Sequence, residues 1–165
     1  KIEDVVETIS PSMDIQVASN FERLIFDVSA FDSKKTLKMM NDLNVRGEFK
    51  LEKEELQKIK DTFFSESISE EETKSIIGEM YKNYGILIDP HTAVGIGATK
   101  KISLEGNTVV LSTADPSKFP DVVMEVTGIK PELPENLKDI LIKKENYDKM
   151  PNNLDNIKNY ILKRT

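Results

Sequence analysis

The chain has 165 residues, of which 38% are hydrophobic and 32% charged, and its formal net charge is −6. Acidic and basic residues are spread along the chain without a basic stripe, which argues against nucleic-acid binding, and no apolar run approaches the ~20 residues that span a bilayer. Absence of cysteine excludes disulfides and thiolate metal sites and suits a reducing compartment, so a cytosolic protein is expected.

Residues 10–84 are predicted to be a helical segment. Apolar residues at helical spacing predict helices near residues 13–28, 34–43 and 52–64. Ser69 followed by Glu72 is a capping box, which predicts the start of a fourth helix, and Gly85 is expected to end that helix in a left-handed turn.

Residues 85–130 are predicted to form a strand–helix–strand unit. The apolar segments 86–88 and 108–113 are short enough for buried strands, and a helix beginning at Pro90 separates them. This order is typical of α/β proteins. Two strands do not make a stable sheet, so the remaining strands are expected from another part of the protein.

Residues 131–165 are predicted to be a helical tail, with one helix from Pro134 to about 143 and another near 154–163. The low apolar content of the whole chain indicates a core that is thin or shared with another part of the protein.

The segment DPHTAVG at 89–95 contains the only histidine of the chain. His91 follows Asp89 and Pro90 in the first turn of the predicted helix, where free N–H groups favour a neutral imidazole. Such a ring can hydrogen-bond a ligand, or it can cap the local backbone. A metal site is not predicted, because no second histidine or compact carboxylate cluster accompanies it.

The segment VVLSTADPSKF at 109–119 places Thr113 at the end of the second predicted strand, the edge where open α/β sheets bind ligands. Thr113 is also readable as an ordinary strand-ending threonine. Because side chains alternate along a strand, only one of Ser112 and Thr113 can face a ligand. Lys118 can attract a phosphate or carboxylate, or remain solvated.

The segment SPSMDIQVASNFERLIF at 10–26 carries three polar candidates, Asp14, Asn20 and Arg23. Asn20 and Arg23 share one helical face, and Asp14 precedes it or lies in its first turn. An arginine can bind a phosphate with two parallel hydrogen bonds. The structural alternatives are that Asp14 caps the helix and that Arg23 pairs with Asp27.

In their order and spacing, these three segments resemble the C-terminal part of the threonine synthase family, pyridoxal-phosphate (PLP) enzymes of fold-type II. The resemblance covers about residues 1–130. It implies an α/β fold in which this chain contributes mostly helices and a few parallel strands of an incomplete sheet. It also implies that the whole enzyme converts O-phosphohomoserine and water to L-threonine and phosphate with PLP.

The resemblance further implies roles for individual residues. Thr113 is expected to face the pyridine nitrogen of PLP, as a Ser or Thr hydroxyl does in fold-type II enzymes, and His91 is expected near the cofactor. The region 10–23 is expected to border the substrate pocket. The residues expected to contact the substrate are Asp14, Asn20, Arg23 and Lys118.

Two departures from the family pattern stand out. Asp115 occupies the position where the family usually has histidine. The family's Schiff-base lysine and phosphate-binding loop are not recognisable, so no catalytic residue is assigned within the chain. Residues 1–165 are therefore expected to be the C-terminal part of the enzyme, inactive without its N-terminal part. The alternatives are a part of another fold-type II PLP enzyme and a non-catalytic helical interaction domain.

Overall fold

The regular structure of the chain is helical. The computed structural model describes residues 1–102 and 105–164. Within them lie the α-helices α1 Phe21–Val28, α2 Ser33–Arg46, α3 Lys53–Lys60, α4 Glu70–Tyr84, α5 Pro90–Lys101, α6 Pro120–Thr127 and α7 Leu154–Leu162, and the 3-10 helices Pro11–Met13, Pro116–Lys118 and Glu135–Leu137. None of the described helices is both long and apolar enough to cross a membrane. The chain divides into two compact units, Lys1–Glu132 and Leu133–Thr165.

The predicted α/β fold with parallel strands is wrong for the described residues, which contain no strand. Segments 86–88 and 108–113 are irregular, and the one hydrogen bond recorded for the backbone N–H groups of 108–113 goes from Thr113 to a side chain. A strand exists only by exchanging backbone hydrogen bonds with a neighbour, and these two segments do not pair. Val109 and Leu111 are instead 84% and 75% exposed.

The core of the first unit lies where α4 packs against α5 and α6. Its buried apolar residues are Ile76, Ile77, Ile88 and Ala93. Gly97 of α5 permits this close approach, because a Cβ atom there would lie 2.8 Å from Cδ1 of Ile76. Ile88, which precedes α5, and Ala93, in its first turn, share this core with Ile76 and Ile77 of α4.

Helix α4 begins and ends as its sequence predicts. The Ser69 hydroxyl accepts a hydrogen bond from the N–H of Glu72, and the Glu72 carboxylate accepts one from the N–H of Ser69. Gly85 follows the helix with a φ of +68°, a left-handed conformation that glycine adopts without steric cost. The predicted capping box and glycine turn are confirmed.

Helices α1, α2 and α3 form a second packed group in the same unit, with Ile25, Val28 and Met39 buried. Lys35 of α2 lies 2.6 Å from the carboxylate of Glu55 and 2.8 Å from that of Glu52. Burial would raise the pKa of Glu55, but hydrogen bonds from Lys35 and from the backbone at Glu52 outweigh it and leave the pKa below its ordinary value. Glu55 is thus a buried carboxylate held in its charged form.

The predicted helix 13–28 is shorter than expected, since α1 begins only at Phe21. Upstream of it, polar side chains bind the N-terminal backbone instead of permitting a helix. Asp14 accepts hydrogen bonds from the N–H and the hydroxyl of Thr8, both 2.7 Å, and Gln16 accepts one from the N–H of Glu3.

In the second unit, the helix predicted near 154–163 is present as α7, whereas the α-helix predicted over 134–143 is not. That stretch contains the 3-10 helix Glu135–Leu137 followed by turns. Ile140, Leu141 and Ile142 are exposed, so no buried apolar face compensates the cost of starting an α-helix.

Candidate functional site

A buried carboxylate organises the start of α5. Asp89 is 0% exposed and precedes the helix in an extended conformation, and Pro90 occupies the first helical position. Oδ2 of Asp89 accepts a hydrogen bond from the N–H of His91 at 3.0 Å, and Oδ1 of Asp89 accepts one from the N–H of Thr92 at 3.2 Å. These are ordinary capping bonds of a helix N-terminus, where a negative charge is favourable.

The His91 ring extends this network to the N-terminal region. Nδ1 lies 2.8 Å from Oδ2 of Asp89, and Nε2 accepts a hydrogen bond from the N–H of Ser12 at 3.2 Å. A backbone N–H can only donate, so Nε2 carries no hydrogen and Nδ1–H donates to the carboxylate. The ring is therefore neutral, with its hydrogen on Nδ1, and joins DPHTAVG to the SPSMD segment.

Thr92 makes a second connection, to the segment that contains Thr113. Its hydroxyl donates a hydrogen bond to Oδ1 of Asp89 and accepts one from the N–H of Thr113 at 3.3 Å. The Phe119 ring, from the same later segment, lies 4.8 Å from the His91 ring, centroid to centroid.

Three segments distant in sequence thus meet at the first turn of α5. We call the group of Asp89, His91 and Thr92, with their partners Ser12, Thr113 and Phe119, the Asp89 node. The three motifs that the sequence analysis selected each contribute to it.

Thr113 combines a fixed backbone with an exposed side chain. Its N–H is bound by Thr92, while no hydrogen bond is recorded for its hydroxyl within residues 1–102 and 105–164. Ser112 is also exposed, so exposure alone does not distinguish the two, but only Thr113 has its backbone bonded to the node.

Asp115 has a local structural role. Its Oδ1 accepts hydrogen bonds from the hydroxyl and the N–H of Ser117, which lower the pKa of Asp115 below its ordinary value. It thereby caps the 3-10 helix Pro116–Lys118. Lys118 ends that helix with an exposed side chain, and its ammonium has no recorded ion pair among the described residues.

Asp14 and Asn20 do not reach the Asp89 node. Both oxygens of Asp14 are bound by Thr8, so Asp14 shapes the N-terminal segment and does not cap α1. Asn20 immediately precedes α1 and is exposed, and its side chain makes no capping hydrogen bond.

Arg23 lies apart from the node on the exposed face of α1. It lines a cavity of about 440 Å³ together with Phe26 of the same helix and with Thr36 and Leu37 of α2. Among the described residues no carboxylate lies within ion-pair distance of Arg23, so the alternative pairing with Asp27 is not observed.

Sequence reasoning missed Thr92, Ser12 and Phe119 and treated Asp89 only as a neighbour of His91. One local signal was available, because Asp89 three residues before Thr92 has the spacing of an N-cap and its N3 residue. The longer connections gave no such signal, since Ser12 and His91 are 79 residues apart.

Comparisons with known proteins find the family that the three motifs resemble. Residues 92–161 match the family model described as threonine synthase, C-terminal. Threonine synthase from Pseudomonas aeruginosa is 36% identical over 157 residues, which cover 93% of this chain and 34% of that protein.

Two solved structures have a similar fold. PLP-bound threonine synthase from Brucella melitensis superposes with a TM-score of 0.83 at 35% identity, over 98% of this chain and 35% of that one. Yeast threonine synthase superposes with a TM-score of 0.77 at 29% identity, over 99% of this chain and 38% of that one. The chain thus spans about a third of the length of the relatives it matches. It is a member of the threonine synthase family and corresponds to a region that includes the family's C-terminal domain.

Proposed function

We propose that this chain forms one wall of the active site of a threonine synthase, which converts O-phosphohomoserine and water to L-threonine and phosphate with PLP. The observation that carries the proposal is the superposition of nearly the whole chain on a threonine synthase that binds PLP. The remaining walls of the active site, and the Schiff-base lysine, would come from the N-terminal part of the same enzyme. Since the chain has no cysteine, we place the reaction in a reducing, cytosolic compartment.

Thr113 fits a contact with the PLP ring. Its hydroxyl is exposed and makes no recorded hydrogen bond to the described residues, while its backbone is fixed by Thr92. A hydroxyl on a backbone fixed in this way can share a hydrogen bond with the pyridine nitrogen. It cannot stabilise a pyridinium charge as a carboxylate does. When bound, PLP supplies the electron-withdrawing ring for elimination of phosphate and addition of water. Residues 85–130 would form the cofactor-side wall.

We propose that His91 supports this wall by holding its segments together. Both of its ring nitrogens are bonded within the protein, to Asp89 and to Ser12, so a hydrogen bond from the ring to PLP would cost one of those bonds. We therefore assign His91 a place beside the cofactor in which it holds the surrounding segments.

The substrate phosphate needs cationic partners, and two of the residues that the resemblance places near the substrate are cationic. Arg23 borders a cavity and Lys118 is exposed, and neither has an ion pair among the residues described. The planar guanidinium of Arg23 suits a phosphate with two parallel hydrogen bonds. Asn20 is exposed beside Arg23 and would add a polar contact, whereas Asp14 would act by shaping the adjoining segment.

The test uses the complete protein that contains this chain, supplied with PLP and O-phosphohomoserine. Release of phosphate together with formation of threonine is expected. Thr113→Val keeps the shape of the side chain and removes the hydroxyl, so kcat should fall by about one to three powers of ten, as for loss of one placed catalytic hydrogen bond.

Thr113→Ser, which keeps the hydroxyl, should retain most of the activity, and Thr108→Val serves as a matched control in the same exposed segment. PLP content and melting temperature are measured for each variant. No phosphate release by the wild-type protein would overturn the proposed function. A fully active Thr113→Val enzyme with bound PLP would remove Thr113 from the site, and PLP binding with another amino acid as substrate would favour a different fold-type II enzyme.

A further inference from the structure

We propose that Asp89 is a positioning residue that sets the direction of two hydrogen-bond relays, through His91 to Ser12 and through Thr92 to Thr113. The catalytic consequence of this role rests on the proposed function, because it is Thr113 that would contact PLP. The relays themselves are a property of the chain.

Asp89 makes more bonds than helix capping requires. Asp32, which caps α2, accepts from the N–H groups of Lys34 and Lys35 and is exposed. Asp89 accepts two equivalent backbone bonds but is fully buried, and it also accepts from the His91 ring and the Thr92 hydroxyl. The two additional bonds are those that lead to other segments.

The carboxylate of Asp89 determines which groups donate and which groups accept hydrogen bonds along both relays. An ionised carboxylate can only accept, so His91 donates its Nδ1–H to it and Thr92 donates its hydroxyl hydrogen. Each partner is then left with a free lone pair on its far side. The backbone N–H groups of Ser12 and Thr113 are the donors that fill those two positions.

An asparagine at position 89 would disturb this arrangement. Its NH₂ group is a donor, and when directed at Nδ1 of His91 it favours the tautomer with the hydrogen on Nε2. Nε2–H would then face the N–H of Ser12, donor against donor, and that bond would be lost. Asp89→Asn should therefore change the tautomer of His91 in molecules whose NH₂ group faces Nδ1 and weaken the Thr92 relay in molecules whose NH₂ group faces Thr92, whereas a purely capping Asp89 would influence neither.

The first experiment measures ¹⁵N chemical shifts of histidine rings in the complete protein, with His91→Gln to assign the His91 signals. In the wild type we expect a protonated Nδ1 and an unprotonated Nε2. Asp89→Asn should shift the population towards protonated Nε2, and Asp32→Asn, the matched cap variant, should not. A wild-type ring protonated on Nε2 would overturn the His91 relay, and so would a folded Asp89→Asn protein in which neither the His91 tautomer nor the hydrogen-exchange rate of the Thr113 amide changes.

The second experiment tests the Thr92 relay without altering Asp89. Thr92→Val removes the acceptor for the Thr113 N–H, and Thr92→Ser keeps it. Hydrogen exchange of the Thr113 amide should become about five- to tenfold faster in Thr92→Val, as expected for loss of one neutral hydrogen bond, and should return towards wild type in Thr92→Ser. Equal exchange rates in the two variants would overturn this relay even if Asp89→Asn does not fold.

The catalytic consequence is measured on the PLP-loaded protein. Thr92→Val should lower kcat by about tenfold with little change in KM and should alter the visible absorbance of bound PLP, while Thr92→Ser restores both. The tautomer and the exchange rates need no cofactor. If they behave as expected and no PLP-dependent reaction occurs, the relays are correct and the proposed function is wrong. If kcat and absorbance do not respond although exchange does, Asp89 positions the backbone without consequence for the chemistry.

Discussion

Both ring nitrogens of His91 are hydrogen-bonded within the protein. One ring nitrogen donates to Asp89 and the other accepts from Ser12, so proton transfer by His91 would first require breaking a bond that holds a distant segment. A general base must be free to take a proton and release it again. At the scale of single residues we therefore expect His91 to act by holding segments in place, whereas the hydroxyl of Thr113 is exposed.

Arg23 is the candidate substrate contact that steady-state kinetics can test directly. Arg23→Lys keeps the charge but loses the planar two-pronged donor, so KM for O-phosphohomoserine should rise about tenfold in the complete enzyme with little change in stability. Steady-state kinetics and a melting curve test this. Lys34→Arg, an exposed position in the first turn of α2, is the control. Identical KM values for wild type and Arg23→Lys would place Arg23 outside the substrate pocket.

Glu55 links the stability of the α1–α3 group to pH. Glu55→Gln leaves Lys35 with Glu52 alone and should destabilise the chain by about 1–3 kcal/mol at neutral pH, as measured by urea unfolding. Because the pKa of folded Glu55 lies below its ordinary value of 4.5, its stabilisation is present above that value and is lost as the pH falls through the folded pKa. The difference between the two proteins should therefore shrink in acid.

The matched control for that measurement is Glu54→Gln, since Glu54 lies beside Glu55 in α3 but is exposed. It should change stability by less than about 0.5 kcal/mol at every pH. A gap between wild type and Glu55→Gln that persists at low pH would show that the carboxylate charge is not the cause.

At the scale of elements, sequence reasoning succeeded where the chemistry is local. The capping box of Ser69 and Glu72 and the left-handed Gly85 were predicted because each depends on residues within a few positions. The strands at 86–88 and 108–113 were wrong because a strand depends on a partner that local sequence does not specify. The late start of α1 has the same origin, since Asp14 bonds to Thr8 and not to the helix that follows.

The same distinction between local and distant contacts applies to the candidate site. His91 and Thr113 were selected from motif resemblance, and the structure brings their segments together. Thr92 was overlooked because its bond with Thr113 spans 21 residues and leaves no periodic pattern. Asp89 was overlooked as an organiser although its own bonds are local, because its two partners His91 and Thr92 are the residues that reach distant segments.

The end of α4 provides a test at this scale. Gly85 has a φ of +68°, and among the described residues no atom lies within 4 Å of the place that a Cβ atom would take, so substitution affects only the backbone conformation. Gly85→Ala should cost about 1–2 kcal/mol, and Gly85→Asn less, because asparagine tolerates the left-handed region. Urea unfolding of the three proteins gives the order. Equal stability of Gly85 and Gly85→Ala proteins would mean that the helix ends differently in solution.

At the scale of the whole molecule, the 165 residues correspond to about a third of a threonine synthase. We expect the 165-residue chain by itself neither to bind PLP specifically nor to form threonine, because this sequence offers no recognised Schiff-base lysine or phosphate loop. Purified chain is mixed with PLP and O-phosphohomoserine, and visible absorbance and phosphate release are followed, with the complete protein as the positive control. Sustained threonine formation by the 165-residue chain would contradict this expectation and require a Schiff-base lysine within it.

The Asp89 node also has a consequence for the order of folding. It joins Ser12 to His91 across 79 residues and Thr92 to Thr113 across 21. Each connection closes a loop whose entropy must be lost before the hydrogen bond is gained, and contacts of high contact order form slowly for this reason. The cap that Asp89 provides for α5 is local and can form as soon as the helix does. We therefore expect the bond from Ser12 to His91, the longer of the two connections, to form after the cap of α5 and after the bond from Thr113 to Thr92.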